Sequence, residues 1–397
     1  MEPRVRAGPR PSPIGLIWCA ITSPAITRFQ YIDYMRVLFV LHRVHPNMRE
    51  AHRILSAAGH KCIFVVDRRG PSEPDFGDDT VVVDSTTFTK ARAEALIHEI
   101  QPQLLIQRNF GNGLRYFWTI CKNMNIPHYR YTQDPLRLPL SDFFVRPLRV
   151  FRLIRDTYVF RATLGKHYSV TPVSFWGDTG GPSFAGRTYL PFPMEIRHSK
   201  KLSITPPFRV VTVAKHGQKR KRVLWLLRFI AETPLVLSID IIGSSPGPQD
   251  RRRSSHDSKI RAFTQKLGAK AKSVTFHDDL DETSIRALYS EADLFVLPAK
   301  REMMAISPLE AISHGVPVLI SSDGGATSYV KPTGQAQVFR ARSYTSFSSR
   351  LTALLLNHET RETLILSGKA ALATTHSPGN FLANIEKLIN GPLSRHE

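Results

Sequence analysis

The chain reads as an α/β protein made of two doubly wound, Rossmann-like domains that face each other across a cleft. Three observations predict this. Apolar, β-branched runs of four to seven residues alternate with stretches of helical spacing, the pattern of βαβ units and parallel sheets. The alternation breaks near residue 189, in the proline- and charge-rich stretch YLPFPMEIRHSKKLSITPPF, and restarts at residue 209. At 397 residues the chain is long enough for two domains of ordinary size.

The first series opens at Met35. RVLFVLH (36–42) reads as a strand and NMREAHRILSAAGHK (47–61) as a helix closed by Gly59. CIFVVD (62–67) is a second strand. RAEALIHEIQP and QLLIQRN repeat the cycle over 92–109, and LRYFWTICKNMN and IPHYRYT repeat it over 114–132. The second series runs strand RVVTVAK (209–215), helix VLWLLRFI (223–230), strand VLSIDIIG (236–243), helix KIRAFTQKLG (259–268) and strand SVTFHD (273–278). It continues with helix ETSIRALYSEA (282–292), strand DLFVLPA (293–299), helix SPLEAISHG (307–315) and strand VPVLIS (316–321). Closing helices are expected over 345–375 and 379–390, and DRRRSSHDSK (250–259) reads as a polar surface loop. The expected organisation is an extension over 1–34 that is disordered or outside the fold, a first Rossmann-like domain over 35–196 and a linker over 197–207. A second domain follows over 208–378, then a C-terminal helix and tail over 379–397 that pack back on the first domain.

The formal charge of +21 is the strongest compositional anomaly and draws the chain towards polyanions. The basic residues are spread out, and no zinc-finger or comparable nucleic-acid signature accompanies them. No apolar run approaches a membrane span, so no transmembrane helix is expected. Cys19, Cys62 and Cys121 lie far apart without metal-ligand spacing and read as free thiols in a reducing, cytoplasmic setting.

One segment carries chemistry. REMMAISPLEAISHGVPVLIS (301–321) holds two glutamates, Glu302 and Glu310, with seven uncharged residues between them. Glu302 ends the loop after a strand, at the cleft. Ser307 reads as the N-cap of the next helix and Pro308 as its first residue. Free amides at such a helix start suit an anion. Together with the preceding VTFHDDLDETSIRALYSEADLFVLPAK, the stretch resembles the donor site of the retaining GT-B glycosyltransferases with a Glu-x7-Glu signature, the glycosyl transferases group 1. The resemblance covers residues 209–375 well and 35–200 mainly in rhythm.

The resemblance implies a metal-independent transferase moving a sugar from a UDP- or GDP-linked donor, with no cofactor, to a saccharide or lipid-linked acceptor in cell-surface polysaccharide or glycolipid synthesis. Glu302 would touch the sugar and Glu310 the ribose, with Ser307, Pro308 and Leu309 at the diphosphate. A leaving diphosphate needs cations. The family places one basic residue just after the strand ending at Ala214 and another about five positions on, which points to Lys215 and Arg220, with Lys219 as the competing choice. The stretch at Asp279-Leu280-Asp281 is expected as a loop beside the base, with Phe276 and His277 supplying contacts, in preference to a metal site. Gly324 and Gly325 would let backbone approach the donor. Met303 stands where the family carries glycine, which puts the sugar's identity in question.

In the first domain, His42, His45 and Asn47 are cleft candidates by position. Asp134 either activates an acceptor hydroxyl or is a turn residue before Pro135. Over 143–166, Phe144, Leu148, Phe151, Ile154 and Tyr158 share one helical side and Arg146, Arg149 and Arg152 lie mostly on the other. Such a helix either lies on an anionic membrane surface or packs an ordinary core. The rival classes are an epimerase or phosphorylase of the same fold, and a catalytically silent binding protein using its basic surface.

Overall fold

The computed structural model describes residues 34–44, 48–67, 76–108, 110–132, 169–172, 187–197, 202–203, 205–244, 250–300, 302, 304–330, 334 and 337–390, with 147–148, 150–151 and 154–155 between them. His45, Asn47, Asp134 and Met303 therefore lie outside the described residues, as does most of 143–166.

Two all-parallel sheets carry the architecture. The first has the order β3-β2-β1-β4-β5-β6-β7, built from β1 (Arg36–Leu41), β2 (Lys61–Val66), β3 (Thr80–Val82), β4 (Leu104–Gln107), β5 (His128–Tyr131), β6 (Ser169–Thr171) and β7 (Arg187–Tyr189). The second has the order β10-β9-β8-β11-β12-β13, built from β8 (Phe208–Val213), β9 (Leu237–Gly243), β10 (Val274–Asp278), β11 (Leu294–Leu297), β12 (Val318–Ser321) and β13 (Val338–Phe339). Central strands are apolar on both faces because crossover helices cover both. Val37 to Leu41 and Leu294 to Leu297 are all buried. The chain order reverses beside β1 in one sheet and beside β8 in the other, and ligands of open α/β sheets bind at the carboxyl ends there.

The first lobe carries helices α1 (Arg49–Ala57), α2 (Lys90–Ile100) and α3 (Arg115–Asn123). The second carries α4 (Val223–Glu232), α5 (Arg251–Gln265), α6 (Glu282–Glu291), α7 (Ser307–Ser313), the single turn α8 (Thr327–Val330), and α9 (Tyr344–Leu356), α10 (His358–Thr374) and α11 (Pro378–Ile389). The core of the second lobe joins Val210, Ile239, Ile241, Leu294, Val296 and Leu319 of the sheet to Leu226, Leu227, Ile230, Phe347, Leu351 and Leu354 of α4 and α9.

Three readings need correction. Residues 251–259 are not a loop but the first two turns of α5. Asp250 caps them by accepting from the Arg253 amide at 3.1 Å, and only Asp257 and Ile260 are buried. A helix with so narrow an apolar stripe leaves almost no period to read. The strands β3, β6, β7 and β13, two or three residues each, were too short to announce themselves. The N-cap of α7 is Ile306, and Ser307 and Pro308 are its first two residues.

The lobes meet through named contacts. The Tyr129 hydroxyl of β5 donates to the Leu388 carbonyl of α11 at 3.2 Å, and the Met194 amide donates to the His376 carbonyl at 2.8 Å. Arg49 of α1 pairs with Glu282 of α6. Buried Glu50 is held by Arg53 at 2.9 Å and by Arg197 of the connecting segment at 2.7 Å. The Arg197 amide in turn donates to Ser313 at the end of α7, so this one residue ties α1 to the helix bearing Glu310.

Candidate functional site

The loops after β8 and β11 are stitched together at the carboxyl edge of the second sheet. The Lys300 amide donates to the Arg220 carbonyl at 2.7 Å, and Arg222 reaches the Pro298 carbonyl at 3.4 Å. Lys219, Arg220 and Lys221 form a 3₁₀ turn, followed by Arg222 at φ 54°, the left-handed region, before α4 begins. That bend aims the turn at Glu302. Arg220 and Lys221 both bind the same oxygen, Oε2, of Glu302, the ammonium from 2.7 Å. Glu302 is 11% exposed at its side chain and Lys221 12%, whereas Arg220 is 45% exposed. Burial lowers the Lys221 pKa, and the Glu302 carboxylate opposes that effect.

Lys221 was not among the expected residues. A 3₁₀ turn has three residues per turn, so its three consecutive cations point about 120° apart. Spacing alone could not choose the one that faces inward. Lys215 and Lys219 are both exposed, and Lys215 is close enough for its charge to lower Lys221 further.

Behind Glu302, the Gly325 amide donates to the Glu302 carbonyl at 2.8 Å. A Cβ on Gly324 would stand 3.3 Å from that same oxygen. The glycines therefore pack against the Glu302 loop and seat it. From the first lobe, the Tyr131 hydroxyl at the end of β5 lies 3.9 Å from the Met304 sulfur. The first lobe thus meets the Glu302 loop.

Glu310 occupies a different setting. The Tyr289 hydroxyl of α6 donates to its Oε2 at 3.3 Å, and Arg197 and Arg49 act on it at longer range. Burial raises its pKa against these stabilising groups. The expected array of free amides is smaller than the sequence suggests. Pro308 has no N–H, and the Leu309 and Glu310 amides both donate to the Ile306 carbonyl, at 2.8 and 3.0 Å. Nearby, the Tyr329 hydroxyl is buried without a hydrogen-bond partner; burial first, then the Tyr189 phenol and the Glu310 and Glu302 carboxylates, hold it protonated.

Phe276 and His277 belong to β10, within the strand expected over 273–278. Strand alternation sends them to opposite faces. Phe276 packs edge-on against His216 and beneath the Arg261 guanidinium. His277 Nε2 pairs with Asp240 at 2.7 Å, and Arg209 takes the other oxygen of Asp240 at 2.7 Å. The loop itself is 279–281, where Asp279 has φ 49° and Asp281 caps α6 by accepting from the Ser284 amide at 2.7 Å. Among the described residues no group of three or more His, Cys, Asp or Glu is placed to hold a metal ion.

This geometry is that of a GT-B fold, two Rossmann-like domains with the candidate site on the second. Sucrose-phosphate synthase from Thermosynechococcus elongatus has the same fold (TM-score 0.64, 15% identity, 90% of this chain and 98% of that one). So does WaaG, a glycosyltransferase involved in lipopolysaccharide biosynthesis (TM-score 0.56, 18% identity, 89% and 100%). Residues 195–371 match the model of the glycosyl transferases group 1 family. A sequence relative is the sulfoquinovosyl transferase SQD2 of Arabidopsis thaliana, 27% identical over 158 residues. That alignment spans 36% of this chain and 30% of the relative's length.

Proposed function

We propose that this chain is a retaining, metal-independent glycosyltransferase that moves a sugar from a UDP- or GDP-linked donor to a saccharide or lipid-linked acceptor. The observation that carries the reading is the convergence of Arg220 and Lys221 on Glu302, within the region that matches the family. In the reaction, the bond between the anomeric carbon and the diphosphate oxygen breaks. The acceptor oxygen bonds to the same face, and its proton passes to the departing phosphate. Lys221 and Arg220, with Lys215 at the rim, would meet the charge that grows on the diphosphate, in place of a metal ion. Glu302 would orient the sugar. Glu310, its pKa raised by burial, would hydrogen-bond the ribose hydroxyls. The buried, unpartnered Tyr329 hydroxyl supports a polar ligand reaching between the two glutamates.

For location, the reading is a cytoplasmic enzyme that rests on an anionic membrane face and takes a lipid-linked acceptor in cell-surface polysaccharide or glycolipid synthesis. In the described pieces of 143–166, Val150 is buried while Leu148 and Phe151 are 82% and 67% exposed. Of the residues expected on the apolar side, Leu148 and Phe151 face outward and Ile154 is half-buried, which supports surface attachment over an ordinary core helix. Among the described residues no helix is long and apolar enough to cross a membrane.

The test is a panel of UDP- and GDP-sugars offered to the purified chain with and without EDTA, reading nucleoside diphosphate release and the anomeric configuration of the product by NMR. Release by one donor, insensitive to EDTA and with configuration kept, is expected. Inversion, or strict dependence on a divalent ion, would overturn the mechanism, and no release from any donor would overturn the activity.

A further inference from the structure

We propose that Glu302 serves as an internal counter-anion for Arg220 and Lys221, competing with the nucleoside diphosphate for the same two cations and so hastening its departure after transfer. This rests on the donor reading above and adds a role for Glu302 beyond contact with the sugar.

The geometry is that of a ligand already in place. One carboxylate oxygen takes both cations, and the Lys221 ammonium, 12% exposed, is neutralised from 2.7 Å. Lys221 is buried deeply enough that burial is the largest influence on its charge. Losing Glu302 without a replacement would leave a buried ammonium unpaired, and a departing diphosphate would do the same. Glu302 is held where it can take over at once. Its own carbonyl accepts from the Gly325 amide at 2.8 Å, and the cation turn is pinned to the same loop by Lys300 N–H to Arg220 C=O at 2.7 Å. The two loops therefore do not have to move for the carboxylate to re-form its pairs. Only the side-chain heads exchange partners, and Arg220, 45% exposed, offers the side from which a phosphate enters. A single carboxylate is a weaker match for two cations than a dianionic diphosphate, so the donor still binds. The carboxylate sets how firmly the product stays.

The experiment is isothermal titration of UDP, GDP and inorganic pyrophosphate into the wild-type chain, Glu302→Gln, Glu302→Asp and Lys221→Met, with circular dichroism as the check on folding. Stopped-flow displacement of a fluorescent nucleoside diphosphate supplies the off-rate. Removing the competing charge should tighten diphosphate binding about tenfold in Glu302→Gln, chiefly through a slower off-rate. Lys221→Met should weaken it by a similar factor. Glu302→Asp, whose shorter arm reaches the cations less well, should fall between wild type and Glu302→Gln, and decides the matter if the glutamine variant does not fold. If Lys221→Met weakens binding while both Glu302 variants bind no tighter than wild type, the counter-anion role is wrong and the donor reading stands. If Lys221→Met binds all three anions as wild type does, the donor reading fails and takes this inference with it.

Discussion

Glu302 and Glu310 are the same residue type in one short segment, yet the fold gives them opposite environments. Glu302 sits at a loop end with two cations on one of its carboxylate oxygens. Glu310 sits in the first turn of α7 beside a phenol, with its cations at longer range, and burial pushes its pKa up. The difference teaches how one motif can serve two parts of a ligand. The cations on Glu302 are the ones the donor reading sets against the diphosphate, whereas the Glu310 carboxyl, pushed up by burial, suits a diol that both donates and accepts.

The comparison breaks most sharply at Lys221. Lys221→Met should lower the rate of sugar transfer by about 100-fold or more, the scale for losing one preorganised electrostatic group. It should leave the circular dichroism spectrum unchanged, and a tenfold or smaller loss would remove Lys221 from the leaving-group site. Glu310→Ala should raise the donor KM by about tenfold with a smaller change in kcat, as expected when hydrogen bonds to a non-reacting part of a ligand are lost. A pure kcat effect measured by steady-state kinetics would put Glu310 at the reacting centre instead.

The end of the Glu310 helix offers a pH test. Burial, followed by the nearby Arg197 and Arg286, lowers His314 to about 4, so it is neutral in the native state. The unfolded chain takes up this proton near pH 6.5 and the folded chain only near 4. Stability from this group is therefore complete above about 6.5 and drains away as pH falls towards 4, by roughly 2 kcal/mol. Urea midpoints measured from pH 7 to 4 should fall steeply for wild type and less for His314→Gln. Parallel curves would show that His314 does not carry the effect.

The smallest effect sharpens the Glu302 side. Arg222 holds φ 54° in the turn that presents Lys221, a conformation that costs a non-glycine residue about 1 kcal/mol. Arg222→Gly should relieve it, offset in part by the lost stacking on Trp225, 4.3 Å from the guanidinium carbon. A net gain of about 0.5 kcal/mol in thermal unfolding is expected, and a loss would mean that the stacking outweighs the strain.

The long strands were legible because they are buried on both faces and read as unbroken apolar runs, as RVLFVL does. The glutamate pair and its helix were legible because proline, glycine and carboxylate fall at fixed offsets around them. α5 was half hidden, since a helix with two buried residues hardly modulates its sequence. The strand read over 273–278 keeps its polar end, because pairing of Val274–Asp278 with Ile239–Gly243 carries it through His277 and Asp278. The apolar and basic residues of 143–166 were legible as a pattern, but only the burial of Val150 against exposed Leu148 and Phe151 shows which side faces out.

By itself, then, the sequence determined two parallel α/β lobes, the break between them and the segment where two carboxylates stand, because periodicity and turn chemistry are local properties written along the chain. Which of three adjacent cations meet Glu302, that the Gly325 amide seats the Glu302 loop, and that Arg197 ties α1 to the Glu310 helix were decided only by tertiary structure. Those contacts join residues tens to hundreds of positions apart, and their partners are set by how loops cross at a sheet edge, a geometry that no local spacing encodes.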